Sequence, residues 1–198
     1  MRSDDLYALP AGLPVPIDDG ACDHLLGMAV PDIALTATDG AQVPLATLPG
    51  RTAIYCYPRT GLPDKEMPEG WNEIPGARGC TPQSCGFRDV SAEFDQRGVR
   101  VFGLSSQDTT YQTEAASRLH LPFPLLSDAA FELANALALP TFEVEGVRLL
   151  KRVTLVVCDG RIEHVFYPVF PPSTNALEVL AWVDSLDATA STEVSIDR

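Results

Sequence analysis

Two runs of β-branched and aromatic residues, TAIYCYP (residues 52–58) and VRVFGLSS (99–106), flank a segment whose apolar positions recur at helical spacing. Phe87, Val90 and Phe94 fall at i, i+3 and i+7 and would line one helix face. A strand, a helix and a second strand in that order call for a parallel pair, because the crossover brings the chain back to the same end of the sheet. That requirement excludes a pure helical bundle and an all-antiparallel sandwich.

The remaining segments are arranged around that core. DIALTATDGAQVPLATL (32–48) holds two short alternating runs about Asp39-Gly40, a hairpin signal. TTYQTEAASRLH (109–120) and SDAAFELANALA (127–138) read as helices, the second capped by Ser127 or Asp128. RVTLVVCDGRIEHVFYP (152–168) reads as a hairpin turned at Asp159-Gly160. A closing helix is expected over 174–186, with Leu177, Leu180 and Ala181 on one face. The fold class expected is α/β: a mixed central sheet flanked by helices on both faces. Residues 1–27 are expected to form an extended arm, 28–186 the folded domain and 187–198 a loose tail.

Residues 59–79, RTGLPDKEMPEGWNEIPGARG, carry no period. A loop of this length is usually functional or disordered. It leads directly into GCTPQSCGFRD (79–89). Proline is accepted only in the first turn of a helix, so Pro82 puts the helix start at about residues 80–82. Cys80 then lies where backbone N–H groups lack partners and the helix dipole is positive, and both favour a thiolate.

Ionisation by itself is a weak catalyst. A thiol of pKa about 8.5 is roughly 3% ionised at pH 7, so complete ionisation gains about 30-fold. Nucleophilicity falls with pKa along a Brønsted slope of about 0.4–0.5, which takes back roughly tenfold if the pKa drops to about 6. Chemistry at Cys80 therefore needs a second element that stabilises charge on a leaving oxygen.

Cys80 and Cys85 are five residues apart, which in a helix separates their Cα atoms by about 8–9 Å. A disulfide needs Cα atoms within about 7 Å. The pair is apart while helical and close once the first turn unwinds, as suits sulfenic acid chemistry with a resolving thiol. The plainer alternative is two buried small hydrophobes.

The chain has five cysteines, and its N-terminal stretch lacks an apolar core and holds four aspartates, so no secretory signal is expected. An odd cysteine count without such a signal suggests a reducing compartment, the cytoplasm. Cys56 and Cys158 sit in apolar strands and are expected in the core; Cys22 has no assigned role. Two close cysteines with scattered His24, His120 and His164 make a poor zinc site. The net charge of −13 opposes binding to nucleic acid or to an anionic membrane.

GCTPQSCGFRD, the Tyr57-Pro58 strand end, LPFPLLSD (121–128) and KRVTLVVCDGRIEHVF (151–166) together resemble the peroxiredoxins, in the peroxiredoxin Q or bacterioferritin-comigratory-protein branch. The resemblance covers residues 28–186. It implies a thioredoxin-like fold and a thiol-dependent peroxidase acting on hydrogen peroxide or organic hydroperoxides. No metal or organic cofactor is implied. Cys80 matches the peroxidatic cysteine, Cys85 the resolving one, and Arg152 the arginine beside the thiolate. The implied product is an intramolecular Cys80–Cys85 disulfide, reduced by a thioredoxin- or glutaredoxin-type donor, in a monomer or weak homodimer.

The departure lies before Cys80. The family runs Pro-x-x-x-Thr-x-x-Cys without interruption, whereas here Pro58 is separated from Cys80 by the long insertion and Ala77 occupies the threonine position. Thr60 is the one threonine between Pro58 and Cys80 and is the candidate replacement. Trp71, Met67 and Ile74 either wall the substrate pocket or pack the loop down. Two other readings stand beside the peroxidase: a disulfide oxidoreductase of the same fold, disfavoured by the missing Cys-x-x-Cys, and a non-enzymatic redox-sensing module.

Overall fold

The computed structural model describes residues 5–193, with side-chain surroundings through residue 186. The strand–helix–strand core forms as the sequence requires. β3 (Arg51–Cys56) pairs in parallel with β4 (Arg100–Ser105), Ile54 opposite Phe102. Between them run α1 (Cys80–Asp89) and α2 (Ser91–Gln96). The hairpin at Asp39-Gly40 is β1 (Ala34–Ala37) with β2 (Gln42–Pro44). After β4 come α3 (Thr109–Arg118), β5 (Leu125–Ser127) and α4 (Glu132–Ala136). A two-stranded unit of β6 (Thr141–Val144) and β7 (Val147–Leu150) precedes β8 (Val153–Cys158), β9 (Arg161–Phe166) and α5 (Asn175–Glu193). The sheet order is β2-β1-β5-β4-β3-β8-β9, with β3–β4 and β4–β5 parallel and the other pairs antiparallel.

The pleat of β3 divides the core. Ala53, Tyr55 and the following Tyr57 face one cluster, with Phe87 of α1, Phe94 of α2, Ala115 of α3 and Val179 and Val183 of α5. Ile54 and Cys56 face the other, with Leu133 and Ala134 of α4 and Leu25 from the N-terminal segment. Four helices thus gather on the Tyr55 face, while the opposite face is covered by α4 and irregular chain. Each fully buried Phe contributes about 1.5–3 kcal/mol by transfer from water.

The single helix expected to carry Phe87, Val90 and Phe94 on one face is two. The chain leaves helical geometry at Val90, φ −117° and ψ 22°. A straight helix would set Phe87 and Phe94 about 10 Å apart along its axis. The bend brings their ring centroids to 5.6 Å, with Phe87 stacked on Tyr55 at 4.5 Å.

Three further expectations are revised. α5 runs on to Glu193, beyond the 186 at which a loose tail was expected to begin; residues 194–198 of that tail lie outside the described residues. Its inward face is Ala176, Val179, Leu180 and Val183, whereas Leu177 is 57% exposed and Ala181 is exposed. Neither Ser127 nor Asp128 takes the position before α4, which is Phe131 with no side-chain cap bond; Asp128, three residues earlier, accepts from the Leu133 and Ala134 amides at 3.3 and 2.8 Å, while Ser127 ends β5 and donates to Gln107 O.

The N-terminal arm is docked on the domain; its residues 1–4 lie outside the described residues. Cys22 and Leu25 are buried, and the Gly27 amide donates to Ile162 O at 2.8 Å. Lys151 Nζ meets Asp19 at 2.7 Å and, with Tyr167, holds the exposed Asp19 carboxyl down to about 2.

Candidate active site

Glycine opens α1 for a steric reason. Gly79 has φ 107°, and a Cβ there would collide with Pro172 and Leu9. Gly86, one turn beyond Pro82, lets the helix approach the Pro172–Thr174 turn, where a Cβ would lie 2.9 Å from Ser173 O. Cys80 is the first residue of α1, as Pro82 dictates, and is only 4% exposed. As a thiol it can donate to Ala77 O at 3.7 Å, and as a thiolate it accepts from Arg152 Nη2 at 3.2 Å.

Arg152, immediately before β8, is 3% exposed. Its Nε donates to Gly76 O at 3.3 Å, and its Nη2 to Ala77 O and Arg78 O at 3.2 and 3.4 Å. Its Nη1 donates to Gln83 Oε1. No carboxylate is among these partners. A buried guanidinium without a counter-anion is costly, so the group best placed to offset its charge is a thiolate at Cys80. Arginine only donates, so Gln83 must turn Oε1 toward it and Nε2 away. That Nε2 donates to Asn175 Oδ1 at 3.0 Å, which also accepts from Thr154 Oγ1 at 2.7 Å.

A cavity of 10 Å³, about the room one water needs, lies against Cys80. Met67 and Trp71 from the insertion line it, as do Arg59, Thr81 and Leu6 of the arm. Arg78, also on the wall, donates from Nη2 to Asp5 O and so ties the arm to the cavity wall. Ile74 packs behind this wall with Trp71, Ala77, Phe142 and Leu149. The insertion thus both walls the cavity and packs itself down.

Cys85 lies in α1, half-buried, and burial pushes its thiol up while the nearby Arg88 and Arg118 oppose the shift. Both cysteines being helical, the separation of about 8–9 Å applies. Pro58 and Thr60 are buried but are not among the cavity's lining residues. Thr60 Oγ1 donates to Gln107 Oε1 at 3.1 Å, its amide to the same oxygen at 2.9 Å, and its carbonyl accepts from Tyr111 Oη at 3.1 Å. Those bonds fix the strand exit, where Arg59 and Gly61 reach the cavity wall in place of Thr60.

Sequence reasoning passed over Gln83, Asn175, Arg59 and Leu6. Gln83 carried a signal, a polar residue in the first helical turn one place after Pro82. Asn175, Arg59 and Leu6 carried none, since their proximity arises from segments distant in sequence.

The remaining cysteines differ. Cys56 is buried as expected, and burial pushes its thiol up; Cys158, at the end of β8, is only half-buried. Cys22 is buried against the same core as Cys56, with its thiol pushed up to about 12. The larger cavity, 360 Å³ and lined by Ile17, Ile74, Phe142 and Val169, touches Arg152 but not Cys80. The small cavity, which Cys80 lines together with Arg59, Arg78 and Thr81, is therefore taken as the candidate site. Among the described residues, no group of His, Cys, Asp or Glu could hold a metal, and no helix is long and apolar enough to cross a membrane.

The family model described as Redoxin matches residues 25–180. Peroxiredoxin Bcp of Escherichia coli is 30% identical over 162 residues, covering 79% of this chain and 94% of its own. Peroxiredoxin Q, chloroplastic, of Oryza sativa is 28% identical over 161 residues, covering 81% and 67%. The crystal structure of peroxidoxin BcpB from Mycobacterium tuberculosis aligns with a TM-score of 0.66 at 25% identity, covering 81% of this chain and 96% of its own.

Proposed function

The chain belongs to the redoxin family, in its peroxiredoxin Q and Bcp group, and has the thioredoxin-like fold and thiol peroxidase activity of that group; from this we propose that Cys80 is the attacking residue and Cys85 its resolving partner. The Cys80 thiolate attacks one oxygen of a hydroperoxide. Arg152 holds the thiolate until the sulfur–oxygen bond forms and the oxygen–oxygen bond breaks. Cys80 becomes a sulfenic acid and the other oxygen leaves as water or an alcohol. The first turn of α1 then unwinds, and Cys85 displaces the sulfenic hydroxyl as water to give a Cys80–Cys85 disulfide.

The observation that carries this reading is the 3.2 Å approach of Arg152 Nη2 to Cys80 Sγ, made by a buried arginine with no carboxylate partner among the described residues. It supplies the charge-stabilising element that ionisation alone lacks. A thiol reductant closes the cycle, and a thioredoxin- or glutaredoxin-type protein suits a two-electron dithiol exchange. Five free cysteines accord with a reducing, cytoplasmic setting.

Cys80→Ser is expected to abolish peroxide consumption, and Cys85→Ser to complete one turnover and then stall as a sulfenic acid that a dimedone probe labels. Unchanged steady-state peroxidase activity in Cys80→Ser would overturn the assignment.

A further inference from the structure

Attack on a peroxide moves charge away from sulfur. The thiolate forms a bond to one oxygen, which keeps its proton, and the oxygen–oxygen bond breaks heterolytically. Sulfur is oxidised by two electrons, and the electron pair departs on the second oxygen as hydroxide or alkoxide. Arg152 is poorly provided to follow it. Its two Nη2–H groups are already shared among Ala77 O, Arg78 O and Cys80 Sγ. Its Nε is bound to Gly76 O, and its Nη1 donates to Gln83. These bonds serve the ground state.

Besides Cys80, the polar side chains on the cavity wall are Arg59, Arg78 and Thr81. Arg78 Nη2 is taken by Asp5 O. The Thr60 hydroxyl is turned to Gln107 and does not reach the cavity. Arg59 differs. It lines the same 10 Å³ cavity as Cys80, and its Nε is buried with no hydrogen-bond partner among the described residues. A buried N–H on a cation is costly to leave unpaired, so such a group calls for an occupant of the cavity. In a space this small the occupant is within reach of Cys80 Sγ as well.

We propose that Arg59 is a second catalytic arginine, whose Nε–H hydrogen-bonds the departing peroxide oxygen while Arg152 holds the sulfur. The two guanidiniums divide the reaction coordinate between them. Arg59 remains protonated throughout, and water protonates the released hydroxide or alkoxide. Ala77 has no hydroxyl to offer, and Arg59 brings an N–H donor to the cavity wall from the strand exit.

The inference rests on Cys80 being the nucleophile, and the test separates the two. Pre-reduced full-length protein is mixed in stopped flow with hydrogen peroxide, and separately alkylated at fixed pH with iodoacetamide, whose iodide leaving group needs no hydrogen-bond donor. Arg59→Gln is expected to slow oxidation by about 100-fold while alkylation of Cys80 stays within about twofold, since a donor for a developing oxyanion is worth that much. Arg59→Lys, which keeps the charge should the glutamine variant fail to fold, is expected to lose about tenfold in oxidation because an ammonium cannot reproduce the fixed Nε–H direction. Oxidation at the parent rate in either variant, or alkylation falling in step with oxidation, overturns the role of Arg59. A parent protein whose Cys80 is not oxidised by peroxide removes the premise along with it.

Discussion

Arg152 Nη2 lies 3.2 Å from Cys80 Sγ across 72 residues of sequence. The two meet because Arg152 directly precedes β8, the antiparallel neighbour of β3, while Cys80 opens the helix that follows β3. The sheet order makes the contact, and the loop carbonyls of residues 76–78 aim the guanidinium.

Arg152→Lys keeps a cation but loses the fork that spans sulfur and carbonyls. Oxidation by hydrogen peroxide is expected to fall about 100-fold, and iodoacetamide alkylation to fall with it, because both reactions need the sulfur that Arg152 holds. The parallel loss would set Arg152 apart from Arg59, and competition against a reference thiol measures both rates.

The second step should depend on pH. Burial pushes the Cys85 thiol above its ordinary range. A raised pKa leaves less thiolate at neutrality, so disulfide closure should speed up as pH rises, by up to about tenfold per unit, until Cys85 is ionised. Trp71 shares the cavity wall with Cys80 and is the expected fluorescent reporter. The slower phase of tryptophan fluorescence, followed from pH 6 to 9, checks this; a slow phase independent of pH would contradict it.

Leu6 is 9% exposed and lies over the Cys80 cavity, so the arm limits what enters. Leu6→Ala should raise the rate with tert-butyl hydroperoxide by about fivefold, equivalent to about 1 kcal/mol of relieved crowding, and change the hydrogen peroxide rate little. The ratio of the two second-order constants is the readout.

His164 stacks on Trp182 at 4.6 Å, and desolvation lowers its pKa below the usual value of 6.5. The folded state therefore favours neutral His164. The resulting stability is present above about pH 6.5 and is lost as pH falls through the lowered folded pKa. Thermal melts at pH 7.5 and 5.0 should show a larger drop for the parent than for His164→Phe; equal drops would refute the linkage.

Much of the fold was legible because several signals agreed locally. Asp39-Gly40 and Asp159-Gly160 each marked a hairpin, and Asp159 and Gly160 do take φ of 47° and 75°. β6 and β7 escaped notice because their turn is Glu145-Gly146, with φ 50° and 74°, and glutamate seldom accepts that conformation. β5 is three residues long, too short to show a period, and exists because β4 and β1 pair with it on either side. The inward face of α5 was misread because Leu177 is apolar but exposed, and only the packing partner reveals which face turns in.

The sequence by itself determined that Cys80 lies at a helix start, since Pro82 confines that start to about residues 80–82, and that Cys85 lies too far along the same helix to bond to it. It also determined a parallel strand pair around that helix. Tertiary structure decided what surrounds the sulfur. Arg152 reaches the sulfur, and Arg59 and Leu6 its cavity wall, from three separate parts of the chain, while Thr60, the threonine nearest to hand, is drawn off by Gln107. Local propensities act over a few residues. Which charges and hydrogen-bond donors share a cavity depends on how distant segments pack, and no short window of sequence records that.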